Sequence, residues 1–122
     1  MSVYSAEYHQ KMQSTRKGRT TILLNRVRNR SRRFGTECDL DIEWLRRKIE
    51  EQDDRCARTG IPFSYEAGPP TPWQPSLDRK DSTKGYTKDN VQVVCLMYNL
   101  AKNAADDDDV RSFAIALLEH TS

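Results

Sequence analysis

Apolar residues recur along this chain in two helical rhythms, then two short extended runs, then two further helical stretches. Residues 5–34 read as a helix with a break near Gly18. Ile22, Leu23, Val27 and Phe34 mark its apolar stripe, and arginines surround it. Gly35 is placed as its C-terminal stop. Asp39 or Asp41 caps a second helix over about 42–52, where Ile42, Leu45 and Ile49 fall at i, i+3 and i+7 and Trp44 adjoins them. Residues 56–60 form a turn, and Ile61, Pro62 and Phe63 a short extended piece. Residues 65–75 hold Gly68, Pro69, Pro70, Pro72 and Pro75, which marks a loop.

Residues 76–79 (SLDR) then read as a short strand, 80–90 as a polar, turn-rich connection, and 91–94 (VQVV) as a second, β-branched strand. Residues 95–103 look helical. The acidic run 106–109 caps a last helix over 107–119, where aspartates suit the helix dipole and Val110, Phe113, Ala114 and Leu117 supply an apolar face. The expected fold class is therefore α+β, mostly helical, with one short hairpin between helices. The 122 residues suit a single domain, 1–122, and no internal repeat interrupts it.

Charge sharpens this outline. The whole chain carries a formal +2, but residues 1–36 hold nine basic side chains against Glu7 alone, a local +8 that leaves the remainder at −6. A basic segment on an acidic body is the footprint of a polyanion binder, so 1–36 is read as a basic helical arm that meets phosphates. Arg26, Arg28, Arg30, Arg32 and Arg33 are its main candidates. Apolar residues make up 36% of the chain and the mean hydropathy is −0.85, so the core is small. No apolar run is long enough to cross a bilayer and the first residues lack a signal-peptide hydrophobic region, so the expectation is a soluble cytoplasmic protein with no membrane partner. The three cysteines, Cys38, Cys56 and Cys95, are odd in number and form no CxxC pair, while His9 and His120 sit near the two ends. A disulfide framework and a structural zinc are therefore not expected, and the thiols are read as small buried side chains.

The stretch that carries chemistry is 73–103. Its strand–loop–strand–helix order lets an acid at the end of the first strand and an amide on the helix converge on one ion. Its residues, SLDR at 76–79 followed by DSTKGYTKDNV at 81–91, resemble a variant subgroup of the HNH endonuclease family, found in bacterial and phage proteins. The resemblance extends to CARTGIPF at 56–63 and, more loosely, to the basic helix ending at Gly35 and to DIEWL at 41–45.

That resemblance implies a ββα-metal core over 56–104, with flanking helices, in a metal-dependent endonuclease that hydrolyses DNA phosphodiester bonds. Asp78 and Asn99 match the metal-ligating positions, and Asn90 the asparagine that pins the connecting loop. Two hard oxygens suit Mg²⁺, with Mn²⁺ as the alternative, and the family uses its metal to polarise the scissile phosphate and stabilise the leaving 3′-oxygen. Arg79 departs from the pattern, because the family has its general-base histidine there and arginine stays protonated. Arg79 can instead donate to a phosphate. Another group must take the proton from water, and Asp81, Tyr86 and Tyr98 are the local candidates. Asp81 reads equally well as the opening of an Asx turn, and Tyr86 as packing beside Gly85.

The family also carries Cys pairs for a structural zinc, but here Thr59 and Tyr98 stand where partners of Cys56 and Cys95 would be. Lys80, Lys84, Lys88 and Lys102 surround the core, and Lys84 and Lys102 join the arginines as DNA-binding candidates. Trp73 either covers the core or stacks on a base. A catalytically inactive HNH-like nucleic-acid-binding protein is the alternative function, supported by the missing base. A basic-helix module that binds an acidic protein is a third.

Overall fold

A computed structural model describes residues 15–120. The described chain is α+β, with four helices and one two-stranded antiparallel hairpin. Helix α1, Arg16–Phe34, begins where Thr15 accepts a hydrogen bond from the Gly18 amide at 3.0 Å. Gly18 therefore lies in the first turn of this helix, and residues 5–14 fall outside the described residues. Gly35 ends α1 in the left-handed region with φ 64°, and the Thr36 amide reaches the Ser31 carbonyl.

The buried face of α1 is rotated from the stripe expected in the sequence. Thr20, Leu24, Val27 and Ser31 face inward, Ile22 and Leu23 are half-buried, and Phe34 is 63% exposed. A count of apolar residues overlooks Thr20, one turn before Leu24, and Ser31, one turn after Val27, which share the inner face and are small enough to be buried. Arg19 is also buried, and its Nη2 donates to the Glu66 carbonyl at 2.8 Å.

Helix α2, Ile42–Glu51, is capped by Asp41, whose Oδ1 accepts from the Trp44 amide at 2.8 Å. Asp39 instead accepts from the Lys88 amide. Trp44, Leu45 and Ile49 carry α2 into the core. Strands β1, Pro75–Arg79, and β2, Val91–Cys95, pair antiparallel with Leu77 opposite Val93 and Asp78 opposite Gln92. Helix α3, Leu96–Lys102, follows β2 directly and packs against both strands. Helix α4, Asp107–His120, is capped by Asp106, which accepts from the Asp109 amide at 2.8 Å.

Leu24 and Val27 of α1, Leu45 and Ile49 of α2, Leu77 of β1 and Val93 and Val94 of β2 meet in one core. Most of the apolar face expected for α4 does not reach it. Val110 packs against the core, whereas Phe113 and Leu117 stay 61% and 52% exposed. The polar loop between the strands is stitched to the α1–α2 linker. The Tyr86 amide donates to the Glu37 carbonyl at 2.9 Å, and the Asp39 amide to the Tyr86 carbonyl at 3.3 Å. Gly85 permits this approach, since a Cβ there would lie 2.4 Å from the Glu37 carbonyl oxygen. Among the described residues no helix is long and apolar enough to cross a membrane.

Candidate functional site

The hairpin and α3 bring Asp78 and Asn99 to one cleft of about 470 Å³. Arg30 of α1, Arg79, Ser82, Tyr86 and Leu100 also line it. Asp78 is only 3% exposed, and its carboxylate is held from behind: Lys102 Nζ at 2.7 Å and Gln92 Nε2 at 2.8 Å both donate to Oδ2. Both of these bonds fall on the one oxygen, Oδ2. The amide of Asn99 is oriented in the same way, with Nδ2 donating to Ser76 Oγ at 2.7 Å and to the Leu77 carbonyl at 3.2 Å. This turns Asn99 Oδ1 away from the strand. Each residue thus offers one hard oxygen, the donor chemistry that suits a small divalent cation.

Asn90 lies behind the loop and not in the cleft. Its Oδ1 accepts from the Asp81 amide at 3.0 Å, and its Nδ2 donates to the Asp81 and Gly85 carbonyls at 3.0 and 2.9 Å. These bonds close the 80–90 loop on itself. Arg79 reaches the cleft with its guanidinium 5.1 Å from the Tyr86 ring centroid, and its Nη1 donates to the Lys84 carbonyl at 3.1 Å.

Of the three base candidates, Tyr86 alone lines the cleft. Asp81 opens a turn, accepting from the Thr83 hydroxyl at 2.6 Å and the Thr83 amide at 2.9 Å. Those bonds, the hydroxyl first, hold its carboxyl below the ordinary value, which weakens it as a base. Tyr98 points to the far side, hydrogen-bonded to Asp107, and burial with that bond pushes its phenol up to about 12.

The basic candidates separate by geometry. Arg26, Arg30 and Arg33 line a second hollow of about 440 Å³ with Asn29 and Phe34, and Arg30 is shared with the Asp78 cleft. A track of guanidiniums therefore runs along α1 into the cleft. Arg28 is used within the fold, donating to the Leu40 carbonyl at 3.1 Å, and Arg32 bonds Asn29 Oδ1 and the Arg28 carbonyl on its own helix. Lys84 lies in a neighbouring hollow with Glu37, Asp39 and Lys88. Lys102 departs from the sequence expectation of a DNA contact. It is 1% exposed, and besides Asp78 its ammonium bonds the Arg79 carbonyl at 2.8 Å. A side chain on the last turn of a short helix reads as solvated, but here that turn tucks under β1.

Gln92 escaped the sequence reading, although a signal for it existed. It is the one polar residue in VQVV, and antiparallel register places it opposite Asp78. The positions matching a zinc knuckle also converge, with Cys56, Thr59 and Cys95 in hydrogen-bonding contact and both thiols free and buried. Burial pushes the Cys95 thiol up. At Cys56 burial acts in the same direction, but hydrogen bonds from Thr59 and nearby backbone groups outweigh it and lower the thiol. Trp73 is exposed, outside both the core cluster and the cleft. No family model, curated protein or solved structure matches the chain.

Proposed function

We propose that this chain is a metal-dependent endonuclease of the HNH kind that hydrolyses DNA phosphodiester bonds at the Asp78–Asn99 cleft. The observation that carries this reading is the meeting of a strand acid, a helix amide and two arginines in one cleft continuous with the α1 guanidinium track. A DNA backbone resting on Arg26, Arg30 and Arg33 would be led to Asp78 by phosphate contacts that fix register without reading sequence. Asp78 Oδ1 and Asn99 Oδ1 would hold Mg²⁺, or Mn²⁺ in its place, which when bound would offset charge on the scissile phosphate and the leaving 3′-oxygen. Arg79, oriented by the Lys84 carbonyl and the Tyr86 ring, would donate to a non-bridging oxygen as charge builds there. Lys102 and Gln92 would hold the Asp78 carboxylate in place at the cleft.

One observation favours a second reading. The Lys102 ammonium already places a fixed cation 2.7 Å from Asp78, which lowers the site's appetite for another and supports an HNH-like nucleic-acid-binding protein that does not cleave.

Supercoiled plasmid incubated with Mg²⁺, Mn²⁺ or chelator tests both. The variant to compare is Asp78→Asn, since its amide oxygen can still accept from Lys102 and Gln92, whereas alanine would remove the hydrogen-bond acceptor of a buried ammonium along with its counter-charge. We expect metal-dependent nicking or linearisation by the parent, lost in Asp78→Asn with DNA affinity retained. Equal cutting by Asp78→Asn sinks the nuclease assignment. Salt-sensitive binding by the parent with no cutting in any metal selects the second reading.

A further inference from the structure

The end of α1 carries an aromatic side chain that phosphodiester cleavage does not use. Phe34 is the last residue of the helix, and the left-handed Gly35 turns the chain away immediately after it. The ring consequently stands at the rim, largely exposed, in a helix whose Leu24 and Val27 are buried. Arg30 lies over it, with the guanidinium carbon 5.8 Å from the ring centroid, and Arg26, Asn29 and Arg33 complete the hollow. An apolar protein surface docking on this ring would have to desolvate three guanidiniums. A ligand that offers a flat apolar face together with anionic groups would satisfy both the ring and the cations, and a nucleotide is such a ligand.

We infer that Phe34 and Arg30 form a stacking platform for an unpaired base of single-stranded DNA, whose flanking phosphates rest on Arg26 and Arg33. In a B-form duplex each base is covered on both faces by its neighbours, so the ring finds a free face only on a single strand, at an end or at a splayed nucleotide. Because Arg30 also lines the Asp78 cleft, the strand delivered there is single-stranded or locally unpaired. The platform rests on the reading of the α1 track as DNA-binding, and it does not depend on cleavage.

The test uses the full chain in chelator, so that cutting plays no part. One probe is a short single-stranded oligonucleotide carrying 2-aminopurine, whose fluorescence falls when the base stacks. The other is the same sequence paired within a covalently closed duplex without ends. We expect the parent to quench the single-stranded probe. Phe34→Ala should weaken single-strand affinity by roughly five- to a hundredfold and remove the quench. Phe34→Trp should keep both, and closed-duplex affinity should be unchanged in either variant. The platform is overturned if the parent gives no quench, if Phe34→Ala binds the single strand as the parent does, or if Phe34→Ala loses single-strand and closed-duplex affinity equally. It is also overturned if Phe34 instead supports a dimer of this chain, seen as a Phe34-dependent change in sedimentation without quench. A quench that persists when Asp78→Asn still cuts removes the nuclease reading and leaves the platform standing. No quench from the parent, with its metal-dependent cutting lost in Asp78→Asn, does the reverse.

Discussion

Lys102 and Asp78 are almost wholly removed from solvent and face each other at 2.7 Å, with Gln92 also donating to Asp78 and the Arg79 and Lys80 carbonyls also accepting from Lys102. Such a pair is expensive to bury and more expensive to break from one side. Lys102→Met should therefore cost about 3–5 kcal/mol in urea unfolding, because Asp78 is left as an uncompensated buried charge. Lys102→Met combined with Asp78→Leu should recover most of that loss. If the single variant unfolds like the parent, the ammonium is not where it is described. The sequence displayed Asp78, Asn90 and Asn99 because each belongs to a spaced signature. It did not display Lys102 or Gln92 as their supports, since a lone lysine or glutamine carries no sign of what will face it. Arg79 was legible as a substitution, but its stacking on Tyr86 depends on how the loop closes and could only be seen folded.

At the scale of elements, α2, α3, α4 and both strands lie within a residue or two of their expected places, because caps and turn formers bound each one, whereas α1 starts at Arg16, inside the stretch read as one helix with a break near Gly18. Thr15, Asp41 and Asp106 accept at helix starts and Gly35 ends α1. What could not be read was which face of α1 turns inward, since that depends on Thr20 and Ser31 fitting against neighbours distant in sequence. The consequence for charge is direct. Arg26, Arg30 and Arg33 project from one side and Arg28 is spent on the Leu40 carbonyl. The triple replacement of Arg26, Arg30 and Arg33 by alanine should lower the slope of log K for DNA against log salt by roughly 3, at about 0.9 per phosphate contact. Arg28→Ala should leave that slope alone and instead reduce thermal stability. A slope change in Arg28→Ala as large as one third of the triple effect would contradict this division.

For the molecule as a whole, the α+β class was legible from spacing, but the tie between the hairpin and the last helix was not. Gln92 Nε2 touches both Asp78 and Asp107, at 2.8 and 3.2 Å, so the strand and the start of α4 share one polar network. Burial alone would raise the Asp107 carboxyl. Hydrogen bonds from Tyr98 and Gln92, with the charges of Lys102 and Arg58, outweigh it and hold the group below its ordinary value. A carboxyl depressed in the folded state gives stability that is complete above the unfolded value, near about 4, and is lost as pH falls through the folded one. Asp107→Asn should thus be less stable than the parent at neutral pH, and the gap should close in acid. Urea midpoints taken from about pH 7 down to pH 2 would show it. A gap that stays constant across that range would mean Asp107 is not held in its charged form by the fold.

The stitching of the 80–90 loop to the α1–α2 linker also has a consequence in time. The amide of Lys88 meets Asp39 across 49 residues, and Gln52 meets the Val93 carbonyl across 41. During synthesis the arginine-rich helix therefore emerges well before the strands that cover its inner face have been made. Leu24 and Val27 lack their strand neighbours until residues near 77 and 93 arrive. Non-local closure of this kind slows folding. For that interval the growing polypeptide presents an exposed polycationic helix beside other nascent material, including the messenger that encodes it.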